Sequence, residues 1–153
     1  MLPFKKILCP TDFSEPAFAA LKRAEELARH FAAELIVAHV IPLLPGPHSF
    51  PDPQAPINFE VPLFQQELAI KAEQMLKDLV AHHQAETRDL VTTGEAAPEI
   101  LRIAQQEHVD LIVIASHGLT GWRRLVHGSV AESVVRQATC PVLIIAVPPE
   151  AEQ

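Results

Sequence analysis

The stretch from Asp110 to Ser129 reads DLIVIASHGLTGWRRLVHGS, and its two halves have opposite characters. Asp110 to Ala115, apolar from Leu111 onward, is the clearest strand in the chain, with the pattern of a strand buried on both faces of a parallel sheet. The second half holds Gly118, Gly121 and Gly128, three of the five glycines in the chain. Glycine gathers where backbone must approach something closely or take positive φ. A strand-to-helix connection rich in glycine and ending in a hydroxyl residue points N–H donors and the positive end of a helix dipole at an anion. Phosphate is the natural occupant. The spacing is neither G-x-x-x-x-G-K-[ST] nor G-x-G-x-x-G, so neither common phosphate-binding class applies.

Outward from this stretch, apolar runs and amphipathic segments alternate. Lys5 to Pro10 is a short apolar run closed by proline. A helix follows, with Ser14 as N-cap and Pro16 in its first turn. Ala17, Ala20, Leu21, Ala24, Leu27, Ala28 and Phe31 recur on one face, and Lys22, Arg23, Glu25, Glu26 and Arg29 lie opposite. Glu34 to Ile41 is a second buried strand. A helix resumes near Leu63 with Leu68, Ala72, Met75, Leu76 and Leu79 on its apolar side, ending around His83. Thr87 to Thr93 is a weaker strand. A short helix with Pro98 near its start buries Ile100, Ile103 and Ala104. After the glycine segment, a helix from about Ser129 to Ala138 leads into the last apolar run, Pro141 to Val147.

The order β-α-β-α-β-α-β-α-β predicts an α/β fold: an open, five-stranded parallel sheet with helices on both faces, because each right-handed crossover returns over the sheet. In such sheets ligands sit beyond the carboxyl ends of strands at the switch in strand order. The loops to search are therefore Pro10 to Ser14 and Ser116 to Gly128. Pro42, Pro45, Pro47, Pro51, Pro53, Pro56 and Pro62 are half of the 14 prolines. They mark residues 42–62 as a long irregular insertion within one domain spanning 1–153.

Composition narrows the function classes. Hydrophobic residues make up 48% and charged residues 20%, a globular balance. The formal charge is −7 with no concentration of Lys and Arg, which argues against nucleic acid as a partner. There is neither a signal-peptide pattern nor an apolar run of the roughly 20 residues a bilayer needs, so the expected setting is the cytoplasm, with no membrane association. Cys9 and Cys140 stand far apart without C-x-x-C spacing, and read as reduced, half-buried small hydrophobes.

The chain resembles the universal stress protein family. Members that bind ATP carry G-x2-G-x9-G-[ST] between the fourth strand and fourth helix. Here the segment is A-x2-G-x9-G-S, with Ala115, Gly118, Gly128 and Ser129 in the four places. The opening Ile7-Leu-Cys-Pro-Thr-Asp12-Phe-Ser14, the strand Ile36 to Val40 with His39-Val40, and the closing Thr139-Cys-Pro-Val-Leu-Ile-Ile145 look like further family hallmarks. The resemblance implies a Rossmann-like, adenine nucleotide alpha hydrolase-like domain that binds ATP, with or without Mg²⁺, in a regulatory or stress-response role. It implies that Pro10, Thr11 and Asp12 border the adenine and ribose, that Val40 touches the adenine, and that Ile114 and Ala115 flank the nucleoside. Gly118, Gly128, Ser129 and Val130 would hold the phosphates, with Ser116 and His117 between the two groups. Asp12, an acceptor at a strand's carboxyl end, also suits ribose hydroxyls or a bound Mg²⁺ on chemical grounds. Ala115 departs from the family glycine. Its methyl is harmless if φ is negative and the side chain enters the core, and weakens nucleotide binding by steric exclusion if φ is positive or the methyl contacts the ligand.

Plainer readings stand beside these. Ser129 to Glu132 fits S-x-x-E and reads equally as a capping box. Asp12 reads equally as an acceptor for the turn at Ser14. Arg123 and Arg124 either neutralise phosphate or are solvated, and Trp122 reads as an apolar anchor for its loop or a partner contact rather than a stacking platform. His117, His127 and the adjacent His82 and His83 lack metal-ligand spacing, so no metal site of the protein's own is expected. No catalytic set for phosphoryl transfer is visible. The expected function is nucleotide binding; the alternatives are a slow ATP hydrolase and a nucleotide-free dimeric interaction module. Val142 to Val147, apolar and placed at a sheet edge, is expected to pair with a second copy as a homodimer.

Overall fold

Apolar runs dominated by Ile, Leu and Val fit a pleated surface covered on both sides. In the computed structural model, which describes residues 2–44, 60–83, 85–116 and 130–146, they form one sheet. Its strands are β1 (Lys6–Pro10), β2 (Glu34–Ile41), β3 (Thr87–Thr93), β4 (Leu111–Ser116) and β5 (Val142–Ala146). All neighbours are parallel and the order is β3-β2-β1-β4-β5. The helices are α1 (Glu15–Phe31), α2 (Glu60–Val80), α3 (Ala96–Gln106) and α4 (Val130–Gln137). The alternating order expected from the sequence is the one observed. From β1 the chain builds outward to β2 and β3, then crosses to the other side of β1 for β4 and β5. The switch point therefore lies between β1 and β4.

Two buried clusters sit on opposite faces. Ile7, Cys9, Leu35, Val37, Leu111 and Val113 point to one face, where Ala20, Leu21, Ala24 and Ala28 of α1 and Leu76 of α2 cover them. Leu8, Ile36, Ala38, Ile112 and Ile114 point to the other, under Ile100, Ile103 and Ala104 of α3 and Ala131 and Val134 of α4. This is the period-two alternation of a strand read from both sides. Burying each large aliphatic contributes roughly 1.5–3 kcal/mol. The alanines along α1 let its backbone lie close on the strands.

Local chemistry sets the helix ends. Ser14 caps α1, its Oγ accepting from the Ala17 amide, and the helix closes on Ala32 in the left-handed conformation, φ 52°. The first turn of α2 begins at Glu60, three residues before the expected start. It takes in Pro62, which lacks an amide hydrogen that this turn does not need. Residues 45–59 of the proline-rich insertion lie outside the described residues. Met75, expected on the packed face of α2, is 41% exposed, because the covered stripe is narrow: Ala72 and Leu76 are buried and Met75 sits about 100° around the helix from Leu76. Cys9 is fully buried rather than half-buried, and burial pushes its thiol up to about 12.

At the amino ends of the strands, Arg88 bridges Glu34 and Glu107, and Lys6 lies 3.4 Å from Glu34 and 3.9 Å from Glu107. Asp110 accepts from the amides of Lys5 and Lys6. These contacts tie β1, β2, β3 and the turn after α3 together at the end opposite the switch-point loops. No helix among the described residues is long and apolar enough to cross a membrane.

Candidate functional site

The β1–β2 ladder runs to Pro10 opposite Ala38, and the β4–β5 ladder runs to Ser116 opposite Ala146. Between β1 and β4 the paired residues are Ile7 with Leu111 and Leu8 with Ile112; odd-numbered residues of β1 bond to β2, so the next donor toward β4 would be Pro10, which has no amide hydrogen, and the ladder stops there. Each strand then continues beside its other neighbour. In this topology the crevice beyond the carboxyl ends of the two strands that flank the switch point, here β1 and β4, is the location reserved for ligands.

One lip of the crevice is the turn after β1. Pro10 is buried, and the Thr11 amide donates to the Ala38 carbonyl at 2.8 Å, extending the grip of β2 by one residue. Thr11 is 5% exposed, and its hydroxyl accepts from the Phe13 amide at 3.1 Å. Phe13 takes φ 63°, a left-handed conformation that a bulky residue adopts at a cost. Asp12 is exposed. Its Oδ1 accepts from both the amide and the hydroxyl of Ser14, while the Ser14 oxygen accepts from Ala17. The turn-acceptor role of Asp12 is thus present, and it holds a carboxylate beside the amino terminus of α1, whose dipole favours negative charge.

The other lip is the end of β4. Ile114 is 6% exposed within the core on the α3 side, so it offers main chain rather than side chain. Ala115 alternates to the other face and packs its methyl against the cluster under α1. Among the described non-glycine residues, positive φ occurs at Phe13, Ala32 and His108 and not at Ala115. The first of the two conditions set for Ala115 is met: its φ is not positive and its side chain enters the core. Ser116 is half-buried at the end of the ladder with β5, and Val40, half-buried, packs against the α3-side cluster. Val130 opens α4 and is 41% exposed. His117, Gly118, Gly128 and Ser129 lie outside the described residues, as do Gly121, Trp122, Arg123, Arg124 and His127, and with them the choice between phosphate ligand and capping box at Ser129.

Two residues at this site escaped the sequence reading as participants. His39, on β2, brings Nδ1 within 2.8 Å of the Thr11 carbonyl. Its ring lies 4.6 Å from that of Phe13. A polar residue inside the apolar run from Leu35 to Ile41 was the available signal for His39. Nothing in the sequence marks Phe13, since a left-handed phenylalanine runs against preference.

A model of the universal stress protein family matches residues 3–146. The chain belongs to that family. The universal stress protein MJ0577 of Methanocaldococcus jannaschii is 34% identical, covering 93% of this chain and 94% of its own. The solved structure of MJ0577 superposes with a TM-score of 0.68 at 32% identity, covering 96% of this chain and 99% of that one. Universal stress protein YxiE of Bacillus subtilis is 33% identical over 93% of this chain and 99% of its own. A universal stress protein from Archaeoglobus fulgidus, solved in complex with dAMP, shares the fold at 23% identity with a TM-score of 0.62, covering 94% and 98%.

Proposed function

We propose that this universal stress protein binds an adenine nucleotide, ATP, at the crevice between β1 and β4, as a regulatory component of a cytoplasmic stress response. The observation that carries the reading is the hydrogen-bonded turn after β1, which holds Asp12 at the switch point in strand order, beside β4, where the Ala115 methyl is turned into the core. In this reading Pro10, Thr11 and Asp12 border adenine and ribose, and Val40 borders the base. The main chain at Ile114 and Ala115 flanks the nucleoside, and Gly118, Gly128, Ser129 and Val130 carry the phosphates with Ser116 and His117 alongside. The dAMP complex of the Archaeoglobus protein supports a nucleotide ligand for this fold. Asp12 is the carboxylate that would face a Mg²⁺ accompanying the phosphates, and ATP would supply the charge that such an ion neutralises.

The edge position of β5 supports a homodimer within the same reading. Leu143 and Ile144 are 39% and 42% exposed on a strand that lies at the edge of the sheet among the described residues. A second copy pairing along β5 would cover both its backbone edge and these side chains.

Heat-denaturing the purified protein and chromatographing the supernatant tests the nucleotide reading, because tightly bound ligand survives purification. Adenine nucleotide is expected in the supernatant, together with a thermal shift on adding ATP to stripped protein. Gly128→Val is expected to abolish that shift with little loss of fold, since a branched side chain blocks close backbone approach. A stripped protein indifferent to ATP would instead favour the nucleotide-free interaction module.

A further inference from the structure

We infer that His39 is a positioning residue: from β2, without touching ligand, it fixes the turn that carries Asp12 at the switch-point end of β1. The inference concerns the same site and, for its effect on binding, rests on the nucleotide reading above. Thr11 is gripped at three points. Its amide donates to Ala38, its hydroxyl accepts from the Phe13 amide, and its carbonyl lies 2.8 Å from His39 Nδ1. A carbonyl oxygen only accepts, so Nδ1 carries the proton and donates. Adjacent residues of β2, Ala38 and His39, thereby clamp both main-chain groups of Thr11. The peptide plane leading into Asp12 is set from the neighbouring strand.

The ring of His39 has a second task. Phe13, the residue after Asp12, holds φ 63° and tilts its ring 42° to that of His39 at 4.6 Å. A phenylalanine in this sparsely populated region persists where its surroundings over-determine it. The Phe13 amide bonded to Thr11 Oγ1 and the His39 ring are two such restraints. With the residues on either side of Asp12 held by β2, and its Oδ1 bonded to Ser14, the carboxylate has little freedom to turn.

A strand residue that merely filled space in the core would not depend on its proton. Asn and Leu have nearly the same shape, and the Asn amide nitrogen sits as far from Cβ as Nδ1 does. His39→Asn therefore keeps the donor, whereas His39→Leu removes it with similar volume. The experiment measures ATP affinity by calorimetry and residue-level amide exchange in both variants and in the parent protein. His39→Leu is expected to weaken ATP binding roughly three- to tenfold, the range set by the net worth of one hydrogen bond. It is also expected to speed exchange at the Phe13 and Ser14 amides while leaving Ile112 and Leu35 unchanged, with His39→Asn close to the parent in both respects. Equal affinity and equal exchange in His39→Leu and parent would overturn the inference, and so would equal losses in Asn and Leu. A parent protein that fails to bind ATP would sink the nucleotide reading instead. The exchange at Phe13 and Ser14 would still decide whether His39 holds the turn.

Discussion

Restoring the family glycine at Ala115 should make the protein worse, not better. The motif alone suggests that Ala115→Gly would recover a lost nucleotide contact. The structure argues otherwise, because the methyl packs against the α1-side cluster and φ is not positive. Removing it forfeits up to about 0.8 kcal/mol of burial, less because the residue is half-buried. Glycine within a strand adds a further cost of about 0.5–1 kcal/mol in chain entropy. The expected loss is about 1–1.5 kcal/mol, a fall in Tm of roughly 2–6 °C for a domain of this size. ATP affinity should change by less than about twofold, since the change lies on the core side of the strand and the flanking Ile114 and Ser116 keep their ladder positions beside β5. Calorimetric titration and thermal unfolding of the two proteins read both quantities. A gain in affinity of about tenfold or more, with Tm unchanged, would refute the placement of the Ala115 methyl.

Three further outcomes follow from other parts of the molecule. A Cβ at Gly94 would fall 2.7 Å from Glu99 Cγ, where Glu99 accepts from Thr92 and Arg102, so Gly94→Ala should cost roughly 1–3 kcal/mol in urea unfolding. The hydrogen bond from Arg88 holds the Glu107 carboxyl below its ordinary value of 4.5. A lowered folded-state value means stabilisation that is present above the unfolded value and lost as pH falls through the folded one. Arg88→Gln should therefore destabilise by at most about 1 kcal/mol at pH 7, discounted for exposure, and by progressively less as the pH falls below 4.5; a difference that grows in acid would contradict the ion pair. Ile144→Lys should leave the fold intact and yield monomer in sedimentation at micromolar concentration, and a dimer that persists would move the interface away from β5.

The fold was legible because each strand is a short apolar run and each helix has one apolar face. Lys6–Pro10, Thr87–Thr93 and Leu111–Ser116 stand within a residue of their expected bounds. Thr87–Thr93 reads as weaker because β3 is an edge strand, half-covered along its length. Met75 was misplaced because periodicity gives the centre of an apolar stripe and not its width, which depends on how far α2 overhangs β2 and β3. The start of α2 was hidden by Pro62, which signals a break anywhere except in a first turn. At the site, Asp12 could be placed from its position after β1. Its hydrogen bonds to Ser14 and the role of His39 depend on distances across strands, and these no linear pattern contains. Ala115 is the instructive residue: the motif flags it as a defect, and only its alternation on β4 shows that its methyl belongs to the core.

The most direct measurement is an NMR titration of the ¹⁵N-labelled protein with ATP. Saturable shifts are expected at the Thr11, Asp12, Ala115, Ser116 and Val130 amides, with Lys6 and Asp110 at the opposite end of the sheet unmoved. Shifts confined to other surfaces, or none at millimolar ATP, would contradict a nucleotide site between β1 and β4.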